Sequence, residues 1–219
     1  MRALLLQSVN LDAALLLIFS FGMISQRRVL SLVHLYTLQG IVLALATATV
    51  GWLSGNWELY LSALVTLVLK AGVIPYALHR VIDRLNVRWD VEPLLNIPAT
   101  MLVGIVLVVF SFDLAAPISR LSESIARGTL GIALACVLLS LMMMITRSRA
   151  VPQVIGFLAM ENGLFFAATA ATSGMPVIFE LGVALDLLVG VIILGVFLFQ
   201  IRERFESLDI RHLEQLKEK

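Results

Sequence analysis

The chain has 219 residues, of which 60% are hydrophobic and only 14% are charged, and its formal net charge is +1. Soluble domains carry about 25% charged residues, and the mean hydropathy here is +0.98. The composition therefore excludes an ordinary soluble domain and predicts an integral membrane protein. The near-zero net charge gives no indication of nucleic-acid binding.

Hydrophobic runs of helical length predict an all-α, polytopic transmembrane bundle, because about 20 helical residues cross a bilayer. The seven predicted spans are residues 3–24, 29–51, 58–81, 97–114, 126–146, 150–173 and 176–201. Asp12 interrupts the first run, and no small-x-small cleavage site follows it, so we expect a retained span rather than a signal peptide. Residues 113–125 predict an interfacial turn around Pro117.

The basic residues between the spans predict the orientation of the bundle. Most Lys and Arg residues lie on the side that includes Arg27 and Arg28, and the other side carries Arg2, Arg120 and Arg127. Because cytoplasmic loops are enriched in Lys and Arg, we expect the N-terminus outside and the C-terminus in the cytoplasm. The expected location is the cell inner (cytoplasmic) membrane.

The sequence gives no sign that this chain itself binds a metal ion or a cofactor. Cys136 is the single cysteine, and the three histidines lie far apart in sequence, so no disulfide framework, iron–sulfur ligand set or cysteine-based zinc site is predicted. A P-loop and a Rossmann fingerprint are both absent from the sequence. We therefore predict no catalytic residue, no metal and no cofactor, and any redox chemistry must belong to partner polypeptides.

Two carboxylates in neighbouring predicted spans are the main candidate functional residues. Glu161 lies near the middle of the sixth span and Asp186 near the middle of the seventh. A charged carboxylate at the bilayer centre costs about 2.5–3.5 kcal/mol on insertion scales, so such residues are functional candidates. Asn162 follows Glu161 and supplies an amide that can orient a carboxylate, and Gly163 allows close backbone approach.

Lys70 is the third buried charge that the sequence predicts. It lies about twelve residues into the third span, too deep to reach either surface easily. Pro75 follows it and deprives the carbonyl of Ala71 of its helical donor, which predicts a helix irregularity. A lysine in this setting favours a proton relay, and the alternative is a structural ion pair with Glu161, Asp186 or both.

Three further residues complete the predicted proton or ion pathway. Asp12, in the first span, is either a pathway residue or an inward-facing group that pairs with a neighbouring helix. His34 lies near the cytoplasmic end of the second span, where an interfacial position is the simpler interpretation. Glu180 lies nearer the outer surface than Asp186, and it too can be a plain interfacial carboxylate.

The C-terminal part of the chain resembles the small three-helix K-type subunit of respiratory complex I and the related C subunit of Mrp-type Na+/H+ antiporters. The similar residues are Ile155, Gly156, Met160 and Asn162 after the basic turn 147–149, then Asp186 with Gly190, then Leu208, Asp209, Ile210, Leu213 and Leu216 in the tail. This resemblance implies a four-helix region at 1–125, a K-like three-helix region at 126–201, and a cytoplasmic tail at 202–219. One position departs from the K-type pattern, which has its first acid where Leu158 stands here.

The full length resembles the hydrogenase-4 component E family of energy-converting [NiFe] hydrogenase and formate hydrogenlyase complexes. The match rests on residues 160–163 (MENG), on the spacing from Glu180 to Asp186, and on Lys70 with Pro75. It implies a non-catalytic membrane subunit that assembles with antiporter-like subunits and a peripheral hydrogenase arm. Its buried charges would then contribute to H+ or Na+ translocation.

Two other classes of function remain open at this stage. A stand-alone secondary transporter is one, although the sequence shows no inverted repeat and no paired broken helices. A purely structural scaffold within another complex I-like or antiporter-like assembly is the other. Co-purifying polypeptides would separate a subunit from a transporter, and neutral substitutions at Glu161 and Asp186 would separate a relay from a scaffold.

Overall fold

A computed structural model of the chain describes residues 2–84, 96–121 and 126–172, together with Gly190. The described part is helical throughout apart from short connections. Its elements are α1 (Arg2–Ser25), α2 (Val29–Ser54), α3 (Glu58–Thr66), a π-helical segment (Leu67–Val73), α4 (Ile74–Arg84), α5 (Ile97–Leu121), α6 (Ala126–Thr146) and α7 (Ala150–Thr172). The helices as far as Thr172 belong to one compact unit.

Six helical stretches among the described residues are long and apolar enough to cross a membrane. They are Leu4–Ser25, Val29–Ser54, Glu58–Arg80, Ile97–Pro117, Gly128–Thr146 and Val151–Ala171. These stretches coincide with the first six predicted spans, so the all-α, multi-pass membrane fold is confirmed. The seventh predicted span, the tail, Glu180 and Asp186 lie outside the described residues. The division of the chain at residue 125 and the orientation of the termini stay predictions.

The bundle has an apolar surface as well as an apolar core, as expected of a membrane protein. α5 shows this most clearly, because Leu102, Val106 and Phe110 on its outer face are all more than half exposed. α5 packs on α6 and α1, and the more enclosed helices are α2, α6 and α7. Because the outer surface is apolar too, the contacts among α2, α6 and α7 decide which side chains are buried away from lipid.

Glycines bring α6 and α7 into close contact. A Cβ placed on Gly163 would lie 3.0 Å from Val137 Cγ2 and 3.2 Å from the Val137 backbone nitrogen. A Cβ on Gly156, two turns earlier, would lie 2.9 Å from Met144 Cγ. Small residues at such positions let membrane helices approach through their backbones. The close approach expected at Gly163 is confirmed, and it fixes the position of the neighbouring Glu161.

The interfacial turn expected at residues 113–125 is wrong over its first part. α5 continues through Pro117 and ends at Leu121. Proline removes one backbone donor, which leaves the carbonyl of Asp113 without its usual helical partner. Membrane helices tolerate this loss because neighbouring groups re-satisfy the freed carbonyl. A proline in an apolar run was therefore an insufficient signal for the end of the span.

Arg147, in the turn between α6 and α7, attaches this end of the bundle to α1. Its side chain is buried, and its Nη2 atom donates hydrogen bonds to the carbonyl of Ile24 at 2.6 Å and to that of Gln26 at 2.9 Å. These carbonyls lie at the C-terminal end of α1, where the helix dipole is negative and backbone acceptors lack helical partners. The basic turn therefore contributes a helix cap as well as a positive loop charge.

Candidate functional site: a buried ion pair

The third span changes its helical geometry around Lys70. Residues Leu67–Val73 form a π-helical segment, and the N–H of Ile74 donates to the carbonyl of Leu69, five residues earlier. This wider turn immediately precedes Pro75, so the helix irregularity expected beside Lys70 is confirmed. π-helical turns within α-helices are frequently found at functional sites.

The π-helical segment keeps Lys70 on the buried face of its span. The buried positions Thr66, Lys70, Ile74 and Leu78 follow one another in steps of four residues. In a regular α-helix each such step drifts about 40° around the axis, so the run would soon leave the interior. A π-helical turn contains more residues and reverses this drift. The π-helical segment therefore keeps the Lys70 side chain on the buried face of the span, from which an unbroken α-helix would have turned the following buried positions away.

Lys70 and Glu161 form an ion pair in the interior of the bundle. The Nζ atom of Lys70 lies 3.0 Å from Oε1 of Glu161, and the two side chains are only 1% and 2% exposed. The Lys70 ammonium also lies 5.5 Å from the ring centroid of Phe165, one turn beyond Glu161 on α7. The ring face offers a favourable quadrupole to the ammonium. The structure thus pairs Lys70 with Glu161, one of the partners that the sequence left open, and Asp186 lies outside the described residues.

Gly40 on α2 makes room for this pair, and the sequence alone had not marked Gly40 as part of the site. A Cβ at Gly40 would lie 3.1 Å from Cβ of Lys70 and 3.2 Å from the Lys70 carbonyl oxygen. α2 therefore passes directly over the backbone of the π-helical segment. The available signal was a glycine beside a polar residue, Gln39, in the middle of an otherwise apolar run.

A chain of neutral polar side chains lies beside the ion pair and joins three helices. Asn162 Nδ2 donates to Gln39 Oε1 at 3.1 Å, and Gln39 Nε2 donates to Ser20 Oγ at 3.0 Å. The Ser20 hydroxyl in turn donates to the carbonyl of Leu16 at 2.9 Å. We call Ser20, Gln39 and Asn162 the amide clasp. It fixes α7 against α2 and α1, and thereby fixes the side of α7 on which Glu161 lies.

The other predicted pathway residues within the described part lie apart from the ion pair. Asp12 is buried, at 8% exposure, and lies about 12 Å along α1 from Ser20 at 1.5 Å per residue. His34 is exposed on α2, and its ring makes an edge-to-face contact with His79, with centroids 5.5 Å apart. Of the predicted pathway residues that the structure describes, Lys70 and Glu161 are therefore brought together, and Asp12 and His34 are not.

Within the described ranges, no group of three or more His, Cys, Asp or Glu side chains is placed to hold a metal ion. The chemistry available at the pair is proton exchange. An N–H···O hydrogen bond of 3.0 Å lets a proton move from the ammonium to the carboxylate, which converts two charges into two neutral groups without moving either helix.

Fold and site together define a multi-pass, all-α membrane protein with a lysine–glutamate pair buried in its bundle. The chain is 30% identical to the uncharacterized protein Rv0085 of Mycobacterium tuberculosis over 211 residues, which cover 96% of each chain. The two proteins belong to one family. The chain is also 26% identical to hydrogenase-4 component E of Escherichia coli and of Shigella flexneri over 214 residues, covering 95% of this chain and 97% of that protein.

Comparison with protein-family models gives no match. No solved structure matches the chain either.

Proposed function

We propose that this chain is a non-catalytic membrane subunit of a multisubunit, hydrogenase-type complex, in which Lys70 and Glu161 relay protons. The observation that carries the proposal is the ion pair between Lys70 and Glu161, 3.0 Å long and almost fully buried. The similarity to hydrogenase-4 component E, which extends over nearly the whole of both chains, supports the type of assembly.

The physical basis of the relay is the balance between a charged and a neutral form of the pair. Burial disfavours the two separate charges, and their mutual attraction favours them. A charge that appears or disappears near the pair shifts this balance and moves the proton between Nζ of Lys70 and Oε1 of Glu161. Redox chemistry in a partner subunit would supply such a change of charge.

The proposed proton route does not pass through the amide clasp. Asn and Gln side chains donate and accept hydrogen bonds, but a neutral amide does not release a proton near neutral pH. The connection from Asn162 through Gln39 to Ser20 is therefore a structural link, and protons would follow the contact between the third span and α7. In this proposal Asp186 continues the pathway in the predicted seventh span, as the resemblance to K-type subunits implies. Glu180 follows it, as the resemblance to hydrogenase-4 component E implies.

The proposed assembly contains antiporter-like membrane subunits and a peripheral hydrogenase arm, in a cytoplasmic membrane with the C-terminus of this chain inside. Mild-detergent purification tests it directly, because hydrogenase polypeptides should co-purify with the chain. Recovery of the chain alone, or as a homo-oligomer that transports ions by itself, would instead favour a stand-alone transporter.

The relay is tested with Lys70→Met, Glu161→Gln and the double variant, assayed in sealed vesicles for proton movement driven by hydrogen evolution. Removing one partner of a buried pair costs about 3–5 kcal/mol, since the remaining charge is uncompensated. The double variant removes both charges, so we expect assembly to recover while coupled proton movement stays lost.

Recovery of both assembly and coupled proton movement in the double variant would make the pair a structural one and favour the scaffold interpretation. Asp186→Asn, which we expect to abolish coupling while leaving assembly intact, extends the same test to the seventh span.

A further inference from the structure

The buried face of the third span is polar on one side of Lys70. Glu58, Ser62, Thr66 and Lys70 follow one another at intervals of four residues, so they share one face of the span. Ser62 and Thr66 are 1% and 4% exposed, and Glu58 lies partly exposed at the end of the span. The stripe extends from Lys70 to that end over about 18 Å, at 1.5 Å per residue.

The same face is apolar on the other side of Lys70. There the buried positions at intervals of four residues are Ile74, Leu78 and Ile82. These side chains offer neither a donor nor an acceptor to water. The two halves of the span are therefore equally withdrawn from lipid, but only one of them carries hydrogen-bonding side chains along its buried face.

The Ser62 hydroxyl of this stripe differs from most other buried hydroxyls among the described residues. Those of Thr47 and Thr169 bond to a carbonyl four residues earlier in their own helix. The Ser62 hydroxyl is buried and has no hydrogen-bond partner among the described residues. A helical serine can readily turn to the carbonyl four residues earlier, so this orientation indicates a partner of another kind. Thr66, one turn nearer Lys70, carries a second buried hydroxyl on the same face.

Ser140 on α6 also has a buried hydroxyl without a partner among the described residues. It has no second hydroxyl at three or four residues on either side of it, where the sequence has Cys136, Val137, Met143 and Met144. Among the spans that the structure describes, the third therefore differs in presenting consecutive hydroxyls that lead to a buried charge.

We propose that a file of water molecules extends from the Glu58 end of the third span to Lys70, hydrogen-bonded to Ser62 and Thr66. Buried waters satisfy polar groups that lack protein partners, and consecutive hydroxyls one turn apart can hold them in a chain. The file gives Lys70 access to the aqueous phase at the Glu58 end of the span. The assignment of this water to proton relay rests on the proposed function, whereas the existence of the water does not.

Single cysteines in a Cys136→Ala background test the proposal in membranes that contain the whole assembly. Ser62→Cys and Thr66→Cys probe the hydroxyl stripe, and Ile74→Cys and Leu78→Cys are matched controls one and two turns beyond Lys70 on the same buried face. Silver ions, added to one side of sealed vesicles in chloride-free buffer, are the probe. The readout is protection of each thiol from a fluorescent maleimide applied after denaturation.

A thiol reacts as its thiolate, which forms in water and not among apolar side chains. We expect silver to protect positions 62 and 66 about tenfold faster, or more, than positions 74 and 78. Ser54→Cys, at the exposed end of α2 next to Glu58, identifies the side from which protection must come. The result is therefore independent of the predicted orientation.

Absence of protection at both stripe positions would overturn the proposal. Equal protection at all four positions, or protection only from the side that does not reach position 54, would also overturn it. Each variant is first checked for its amount in the assembly, and Ser62→Cys changes a single atom, so loss of fold does not obscure that position. Labelling does not depend on proton movement, so a failed relay and an absent water file give different results.

Discussion

The described part of the chain contains two buried cations, and it accommodates them in different ways. Lys70 lies within the third span and pairs with the carboxylate of Glu161. Arg147 lies at the end of the bundle and donates to the backbone carbonyls of Ile24 and Gln26. One cation therefore faces a titratable anion, and the other faces the fixed negative end of a helix dipole.

This difference separates a group that can exchange its proton from one that cannot. Burial lowers the pKa of the Arg147 guanidinium from its usual value. A guanidinium nevertheless keeps its proton in proteins, because its ordinary pKa lies far above neutral pH. Arg147 is therefore a permanent charge suited to holding α1 against the α6–α7 turn. Lys70 instead donates to a carboxylate, a group that can accept its proton, and the proposed relay needs such an acceptor.

The largest effect on stability is expected from Arg147→Leu. The substitution removes two hydrogen bonds from a charged donor, each worth about 1.5–3 kcal/mol, and should destabilise the chain by about 3–6 kcal/mol. The measurement is the thermal midpoint of the purified assembly in detergent and its yield. Arg27→Leu, an exposed arginine in the turn that follows α1, is the control and should stay within about 0.5 kcal/mol. Equal losses in both variants would contradict the capping role.

A smaller effect, directed at the ion pair, is expected from Gly40→Ala. Its Cβ would press on the backbone and Cβ of Lys70 at 3.1–3.2 Å, and overpacking of this kind costs about 1–3 kcal/mol. We expect a lower thermal midpoint together with reduced coupled proton movement per assembled complex. Gly72→Ala lies in the same π-helical segment with no atom within 4 Å of the new Cβ, and it is the matched control. Similar coupling in the two variants would show that the close approach of α2 is unimportant for the pair.

Asn162→Leu is expected to have a modest effect on stability and little effect on coupling. It removes the hydrogen bond to Gln39, and interhelical hydrogen bonds in membrane proteins are worth about 0.6 kcal/mol on average. The amide transfers no proton in the proposed route, so proton movement per assembled complex should stay near that of the unchanged chain. Loss of coupling out of proportion to the loss of stability would place the amide clasp on the proton route.

The smallest effect is expected from His34→Phe. The His34 ring is exposed and contacts the edge or face of His79, and a phenyl ring keeps that contact. Stability should change by less than about 0.5 kcal/mol, and coupled proton movement should be unaffected. A strong loss of coupling would show that His34 belongs to the proton pathway, as the sequence predicted. His34 would then have to be compared with Lys70 and Arg147 as a third ionisable site.

Several features of the site followed directly from the sequence. The depth of Lys70 in a 20-residue apolar run indicated burial, and burial of an ammonium demands an anionic partner or the loss of its proton. Pro75 indicated the helix irregularity. The sequence could not decide between Glu161 and Asp186 as the partner, because two carboxylates at similar depth satisfy the same electrostatic requirement. It also could not show that Asp12 lies on a different level of α1 from the amide clasp.

The sequence by itself determined that the protein lies in a membrane and that the described part contains six spans, with their approximate bounds except at the end of α5. It also identified the few charged residues whose burial in a bilayer needs a partner or a function. Those properties depend on transfer free energies, which are summed along the chain. Tertiary structure alone decided that Gly40 covers Lys70, that Asn162 and Gln39 form a clasp, and that Arg147 caps α1. These are contacts between residues up to 123 positions apart, and they depend on how glycines let particular helices approach, which no local pattern records.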